Sequence, residues 1–150
     1  MKIFIILILL FSLLEAEKVE ISADSFEANE PKQISIFSGN VKIKKGRDEF
    51  NASRVVILFD KKNKPTKYSA SGEVKFQLKT KEQIFVGHAD KLIYEPITQK
   101  YQILGNAFIH EKSQNRKLYG EKIIIDRKKG TSKITGTKSR PVKFIFSVKE

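Results

Sequence analysis

The side chains best suited to nucleophilic attack, to proton transfer near neutral pH and to soft-metal ligation are nearly absent: the 150 residues include two histidines, His88 and His110, and no cysteine. Neither histidine has a ligand-like neighbour at metal spacing. No Gly-x-Ser-x-Gly, His-Glu-x-x-His or phosphate-cradling glycine loop occurs either. The missing cysteines also exclude disulfides and an acylated N-terminal lipoprotein cysteine. Three acids, Asp24, Asp90 and Glu121, stand at equivalent places of an internal repeat. A catalytic pair would not recur with the fold, so turn or backbone hydrogen bonding is expected of them. An enzyme is not expected, and neither a cofactor nor a metal is called for.

Positive charge is the chemistry the chain does have. Lys and Arg number 29 against 17 Asp and Glu, a formal net charge of +12. Basic side chains cluster at Lys42-Lys44-Lys45-Arg47, at Lys61-Lys62-Lys64-Lys67 and at Arg127-Lys128-Lys129. Such clusters suit a phosphate-bearing partner, and they are equally what solvated turns and protected edge strands look like. The N-terminus narrows the choice of partner. After Lys2 a 12-residue block, 3–14, is apolar except for Ser12, and Ala16 offers a small residue before Glu17. A spanning helix wants about 20 apolar residues, so residues 1–16 are expected to be a cleavable export signal, with 17–150 as one mature domain. An exported basic protein rarely meets nucleic acid.

The elements that must position these groups are strands. Val41-Lys42-Ile43-Lys44 and Val74-Lys75-Phe76-Gln77-Leu78-Lys79 alternate strictly, the period-2 signature of a half-buried strand. Val55-Val56-Ile57-Leu58-Phe59 and Ile123-Ile124-Ile125 are continuous apolar runs, as at a sheet centre. No helical stripe follows residue 16. Breakers at Asn29-Glu30-Pro31, Lys45-Gly46, 60–65, Glu95-Pro96 and Lys129-Gly130 divide the chain into about nine strands, near 19–28, 34–44, 49–59, 67–79, 82–95, 99–111, 117–126, 131–137 and 142–149.

Self-comparison shows that the strands repeat. Ser38-Gly39-Asn40-Val41, Ser71-Gly72-Glu73-Val74, Leu104-Gly105-Asn106-Ala107 and Thr135-Gly136-Thr137 share a small-residue corner, with glycines 33, 33 and 31 residues apart. Between them recur Ala23-Asp24, Ala52-Ser53, Ala89-Asp90 and Gly120-Glu121. One strand plus one corner fills each interval, so a unit of about 32 residues stacks on its copies. The glycines suit a bend or bulge.

These strings, together with Val86-Gly87-His88-Ala89-Asp90, resemble the OstA/LptA-like family of lipopolysaccharide-transport proteins over residues 19–137. The ordered set of repeats carries the resemblance; no single motif does. It implies an all-β fold, a single β-jellyroll of stacked antiparallel strands open at both ends, whose interior holds the acyl chains of lipid A. It also implies a periplasmic location, head-to-tail self-association, and partners in an LptC-like inner-membrane protein and an LptD-like outer-membrane translocon. The chain is too short to carry that translocon's barrel, and block 3–14 is short for an LptC-like anchor. Strand parity then places Val19, Ile21, Val41, Ile43, Val74, Phe76, Leu78, Leu92, Tyr94, Ile103, Ile123 and Ile125 inside. Val19 and Ile21 near the N-terminal opening, with Phe76 and Tyr94 deeper, are the foremost candidates for lipid contact. Ordinary core packing accounts for every one of these residues as well, and an exported β-repeat protein with a dry core fits the same pattern.

Overall fold

The computed structural model describes residues 18–79 and 81–148. The N-terminal apolar block and its expected cleavage point lie outside the described residues. Ten strands form a single antiparallel sheet: β1 (Val19–Ser22), β2 (Ser25–Asn29), β3 (Ile34–Lys45), β4 (Asp48–Phe59), β5 (Pro65–Lys79), β6 (Ile84–Glu95), β7 (Lys100–Glu111), β8 (Arg116–Asp126), β9 (Thr131–Thr135) and β10 (Lys143–Ile145). Strands β3 to β8 run as consecutive hairpins. Among the described residues β1 and β2 both pair with β3, β9 and β10 both pair with β8, and the two edges are not joined, so the sheet is not a closed barrel.

The repeating corner is a bulge in which the backbone turns left-handed twice. Gly39 and Asn40 have φ of 80° and 46°, Gly72 and Glu73 81° and 48°, Gly105 and Asn106 79° and 48°. In each case two residues of an odd strand face one of its neighbour: the register jumps from Ser38/Arg54 to Val41/Ala52, from Ser71/Lys91 to Val74/Ala89, and from Leu104/Lys122 to Ala107/Gly120. An extra residue bends and twists its strand. Because the bulges stand in register, every long strand bends at one level, and the sheet folds back on itself as two layers. Along the first layer the order is β1-β3-β4-β5-β6-β7-β8-β10; along the second, β2 and β9 replace β1 and β10 at the edges.

The small and acidic residues of the repeat lie over these glycines. A Cβ at Gly39 would come within 2.5 Å of the Asp24 carboxylate and one at Gly72 within 2.6 Å of Ser53 Cβ and Oγ, while at Gly105 it would strike Asp90. Asp24 donates its N–H to the Gly39 carbonyl (2.8 Å) and accepts from Asn40 Nδ2 (3.0 Å). Ser53 Oγ donates to the Gly72 carbonyl (3.2 Å). At Asp24 the corner interrupts pairing, which is why the single strand expected at 19–28 is two strands, β1 and β2. The fourth corner departs from the repeat. Gly136 follows β9, and what it permits is close approach, since a Cβ there would meet the Arg140 carbonyl at 2.6 Å. The chain turns with Thr137 N donating to that carbonyl (2.8 Å), and of the described residues of the strand expected at 142–149 only 143–145 pair, against β8.

Packing concentrates between the layers. Val41 and Val74 from the first layer, with Val55, Ile103 and Ile123 from the second, are the largest fully buried side chains. Full burial of such a side chain is worth about 1.5–3 kcal/mol, and both layers supply it to one cluster. One carboxylate is drawn in with them. Glu111, at the end of β7, is 4% exposed; its Oε2 accepts from the Gln114 N–H (2.8 Å) and lies 3.7 Å from Arg116 Nε, while Oε1 has no partner. Desolvation works to raise its pKa, and hydrogen bonds from Gln114 and Ser113 with the Arg116 charge outweigh it, leaving the carboxyl below its ordinary value.

Three outcomes are expected of purified protein. Glu73 adopts a left-handed conformation that costs residues other than glycine and asparagine about 1 kcal/mol, and asparagine holds the equivalent places at Asn40 and Asn106. Glu73→Asn should therefore raise the thermal midpoint by about 2–4 °C in calorimetry. Gly105→Ala, with its Cβ driven against Asp90, should lower stability by about 1–3 kcal/mol in urea unfolding. Because the Glu111 pKa is lowered on folding, its stabilisation is complete above the ordinary carboxylate pKa and is lost as pH falls through the lowered value. The stability gap between wild type and Glu111→Gln should accordingly narrow between about pH 6 and pH 3.

Candidate lipid-binding groove

Because the layers are joined at the bulges and free at their hairpins, the space between them is a groove with a closed side and a mouth. Its second-layer wall can be read row by row from the registers. Nearest the bulges runs Phe37, Val55, Ala70, Leu92, Ile103, Ile123 and Ile134, wholly apolar. Two residues nearer the mouth runs Ile57, Tyr68, Tyr94, Tyr101 and Ile125. On the first layer Ile43, Phe50, Phe76, Gly87, Ile109, Leu118 and Phe144 form the facing row. Gly87 leaves room for an aromatic ring, since a Cβ there would strike Phe76 Cζ and the Phe108 carbonyl.

Two cavities occupy this space. The first, about 260 Å³, lies between Val19, Ile43 and Phe50 of one layer and Val55, Tyr68, Ala70, Leu92, Tyr94 and Tyr101 of the other, with Lys45, Pro65 and Pro96 at its mouth. The second, about 590 Å³, runs on among Phe76, Leu78, Phe85, Ile103, Ile109, Leu118, Ile123 and Ile125, rimmed by Asp48, Lys79, Gln83 and Arg127. Phe50, Leu92 and Tyr101 line both, so the two volumes adjoin there.

Nine of the twelve residues assigned inward by parity line one or both of these cavities, and Ile21, Val41 and Val74 line neither. Val41, Ile43, Val74, Phe76, Leu92, Ile103 and Ile123 are buried, and Ile21, Leu78, Tyr94 and Ile125 are partly buried against them. Val19, on the edge strand, is 39% exposed and lines the first cavity. Ile21 lines neither cavity and packs on the core instead. Phe50, Tyr68 and Tyr101 belong to the same walls and are not in that set. Tyr101 stands two residues from Ile103, so alternation alone could have found it. Phe50 is separated from the Val55–Phe59 run by a corner that shifts the parity count, since Ala52 and Val55 both face inward, whereas Tyr68 keeps the parity of Val74, Phe76 and Leu78 and could have been found by carrying the alternation through the corner. The continuous apolar runs placed at a sheet centre put Val56 and Ile124 on the outward face, in one cross-strand row with Ser69, Ile93 and Gln102.

The mouth row is aromatic and cationic. Tyr68 faces Tyr94 with ring centroids 6.1 Å apart, and Tyr94 stacks on Tyr101 at 4.3 Å. Lys45 Nζ reaches across from the first layer to 5.0 Å above the Tyr94 ring, and the Arg127 guanidinium lies 5.9 Å from that of Tyr101. Burial, with the neighbouring Tyr94, raises the Tyr68 pKa above the ordinary phenol value, so it remains a protonated donor. Of the basic clusters, Lys42 and Lys44 point outward, Lys61, Lys62 and Lys64 occupy the β4–β5 hairpin, and Lys45 and Arg127 flank the groove.

The histidines take no part in the groove. His88 is exposed and lies against Phe108 at 5.2 Å; His110 Nε2 is 2.9 Å from Asn115 Oδ1 in its own hairpin. Among the described residues no group of His, Asp or Glu could hold a metal ion, and no helix is long and apolar enough to cross a membrane.

Comparison with known proteins agrees with this architecture. A search of curated proteins finds no sequence match. Among solved structures the chain is similar to LptH of Pseudomonas aeruginosa, described as the LptA-homologous periplasmic component of the lipopolysaccharide transport device, with a TM-score of 0.76, 15% identity, and coverage of 88% of this chain and 96% of that one. At that identity the likeness concerns the fold. The family model described as LptA/(LptD N-terminal domain) LPS transport protein matches residues 20–131. Strand order, bulge column and sequence match together place the chain in that family of lipopolysaccharide-transport proteins.

Proposed function

We propose that this protein is a periplasmic carrier that shields the acyl chains of lipopolysaccharide between its two layers, as one segment of a bridge from inner to outer membrane. The observation that carries this reading is the pair of adjoining cavities whose walls are apolar on both layers. A closed core of this size would be filled by its own side chains. Water would not fill so apolar a space, whereas a hydrocarbon chain does.

Energetics favour such a carrier. Each methylene taken from water gains about 0.8 kcal/mol, on the order of 9 kcal/mol for a chain of about a dozen carbons. A groove that is open along its mouth lets the polar headgroup stay in water while the chains are shielded. The same opening explains why the protein needs no chemistry of its own: capture and release are transfer steps between apolar surfaces.

Bridge formation rests on the ends of the sheet. Among the described residues, β1 and β2 at one edge and β9 and β10 at the other each leave one side unpaired within the sheet. Either edge can accept a strand from a second copy, from an LptC-like inner-membrane partner or from an LptD-like translocon, and repeated head-to-tail addition extends the groove. An exported location removes nucleic acid from its reach.

A photo-crosslinking residue at Phe76, at Tyr94 or at Val19, introduced singly in a lipopolysaccharide-producing cell, should yield a lipopolysaccharide adduct on gels, strongest at Phe76. The outward-facing Lys75 is the control and should give none. Absence of an adduct at all three inward positions would sink the carrier reading in favour of a dry-cored β-repeat protein.

A further inference from the structure

The mouth of the groove differs in chemistry from its depth. From the bulges outward the second-layer wall passes from Val55, Ala70, Leu92, Ile103 and Ile123 to Tyr68, Tyr94 and Tyr101, and then to the rim with Arg127. Three tyrosines in register on three successive strands form a ladder of rings, with a cation over each of two of them. Hydrophobic packing alone does not require this. A purely structural wall would be served by the Ile57 and Ile125 that flank the ladder in the same row.

We propose that this ladder, with Lys45 and Arg127, is the subsite for a phosphorylated sugar headgroup whose acyl chains lie in the groove, an inference that rests on the carrier reading above. Tyrosine offers an apolar face and a polar edge, which suits a sugar ring whose C–H face is apolar and whose rim is hydroxylated. The protonated Tyr68 hydroxyl is a donor to that rim. Lys45 from the first layer and Arg127 from the second stand beside Tyr94 and Tyr101, and each can exchange its ring contact for a charge-assisted hydrogen bond to phosphate. Geometry sets the order of contacts. Tyr101 lines both cavities, so a headgroup at the ladder has acyl space on either side beneath it.

The test uses lipid A carrying two phosphates and the same lipid dephosphorylated, each in neutral-detergent micelles, titrated into the purified protein. The chain has no tryptophan and four tyrosines. In a Tyr119→Phe background, tyrosine emission therefore reports the ladder directly. The phosphorylated lipid should bind about tenfold tighter or more, and this ratio should fall at high salt. It should collapse to about twofold or less in Lys45→Gln/Arg127→Gln. A control pair on the outward face, Lys75→Gln/Lys117→Gln, removes the same charge and should keep the ratio. If both lipids bind wild type equally, or if the ratio survives in the mouth variant, or collapses equally in the control, the headgroup subsite is overturned while the acyl groove stands. Failure of either lipid to bind at all would overturn the subsite together with the carrier reading.

Discussion

Everything in this fold depends on a backbone conformation that most residues avoid. Three times, at Gly39-Asn40, Gly72-Glu73 and Gly105-Asn106, two successive residues turn left-handed opposite a single residue of the next strand. A meander without these bulges would be an open sheet with one apolar face turned to water. With them in register, each long strand, β3 to β8, crosses both layers, and the sheet covers its own apolar face. The residue types follow from the geometry. Glycine is needed where φ is near 80°, asparagine tolerates the second position, and the residue that lies over the glycine must be short and polar enough to bond the corner. Ser53 Oγ donates to the Gly72 carbonyl, while the Asp24 and Asp90 carboxylates accept from the side-chain amides of Asn40 and Asn106.

That constraint also explains which parts of the molecule were legible in the sequence. A corner that needs glycine leaves a glycine at each copy, so the unit of about 32 residues could be seen and the strands between corners placed to within a few residues. Alternation then gave the inward face for Val41, Ile43, Val74 and Phe76, whose strands have water on the other side. It was silent for Ile57, in the Val55–Phe59 run where both faces are apolar. Gly136 looked like a fourth corner because spacing and neighbours match, yet spacing does not encode φ, and that glycine serves a close approach to Arg140. The tyrosine ladder was beyond reach for a different reason. Tyr68, Tyr94 and Tyr101 are 26 and 7 residues apart, and only the hairpin registers, set by bulge positions, bring them side by side.

The charge follows a similar division. Lys42, Lys44, Lys75, Lys91 and Lys122 are exposed on the outward faces of strands, where like charges discourage edge-to-edge aggregation of so much β-structure. Lys45 and Arg127 differ in facing aromatic rings at the mouth. A net charge of +12 thus has two parts: a solvated coat, which any anionic surface would attract, and a pair of cations placed where the layers open. The second part is small in number, but it is set against an aromatic wall, and position rather than quantity is what can distinguish one anion from another.

The ends of the sheet show how far the groove extends. On the inner face of the first layer the row of Phe50, Phe76, Ile109 and Leu118 continues past β8 onto Phe144, which is 53% exposed and stacks edge-on with Phe146 at 5.2 Å. At the opposite edge Phe26 is 59% exposed and lies 4.8 Å from Phe37, in the second layer's apolar row. A self-contained domain ends its inner rows with polar residues or folds a segment over them. Among the described residues the rows run to the edges and remain apolar, while the edge strands themselves are only three to five residues long. Short edges limit indiscriminate pairing, and uncapped rows give a correct neighbour an apolar surface to continue. Short edges and apolar rows that reach them are the two features that the proposed bridge would require of each of its segments.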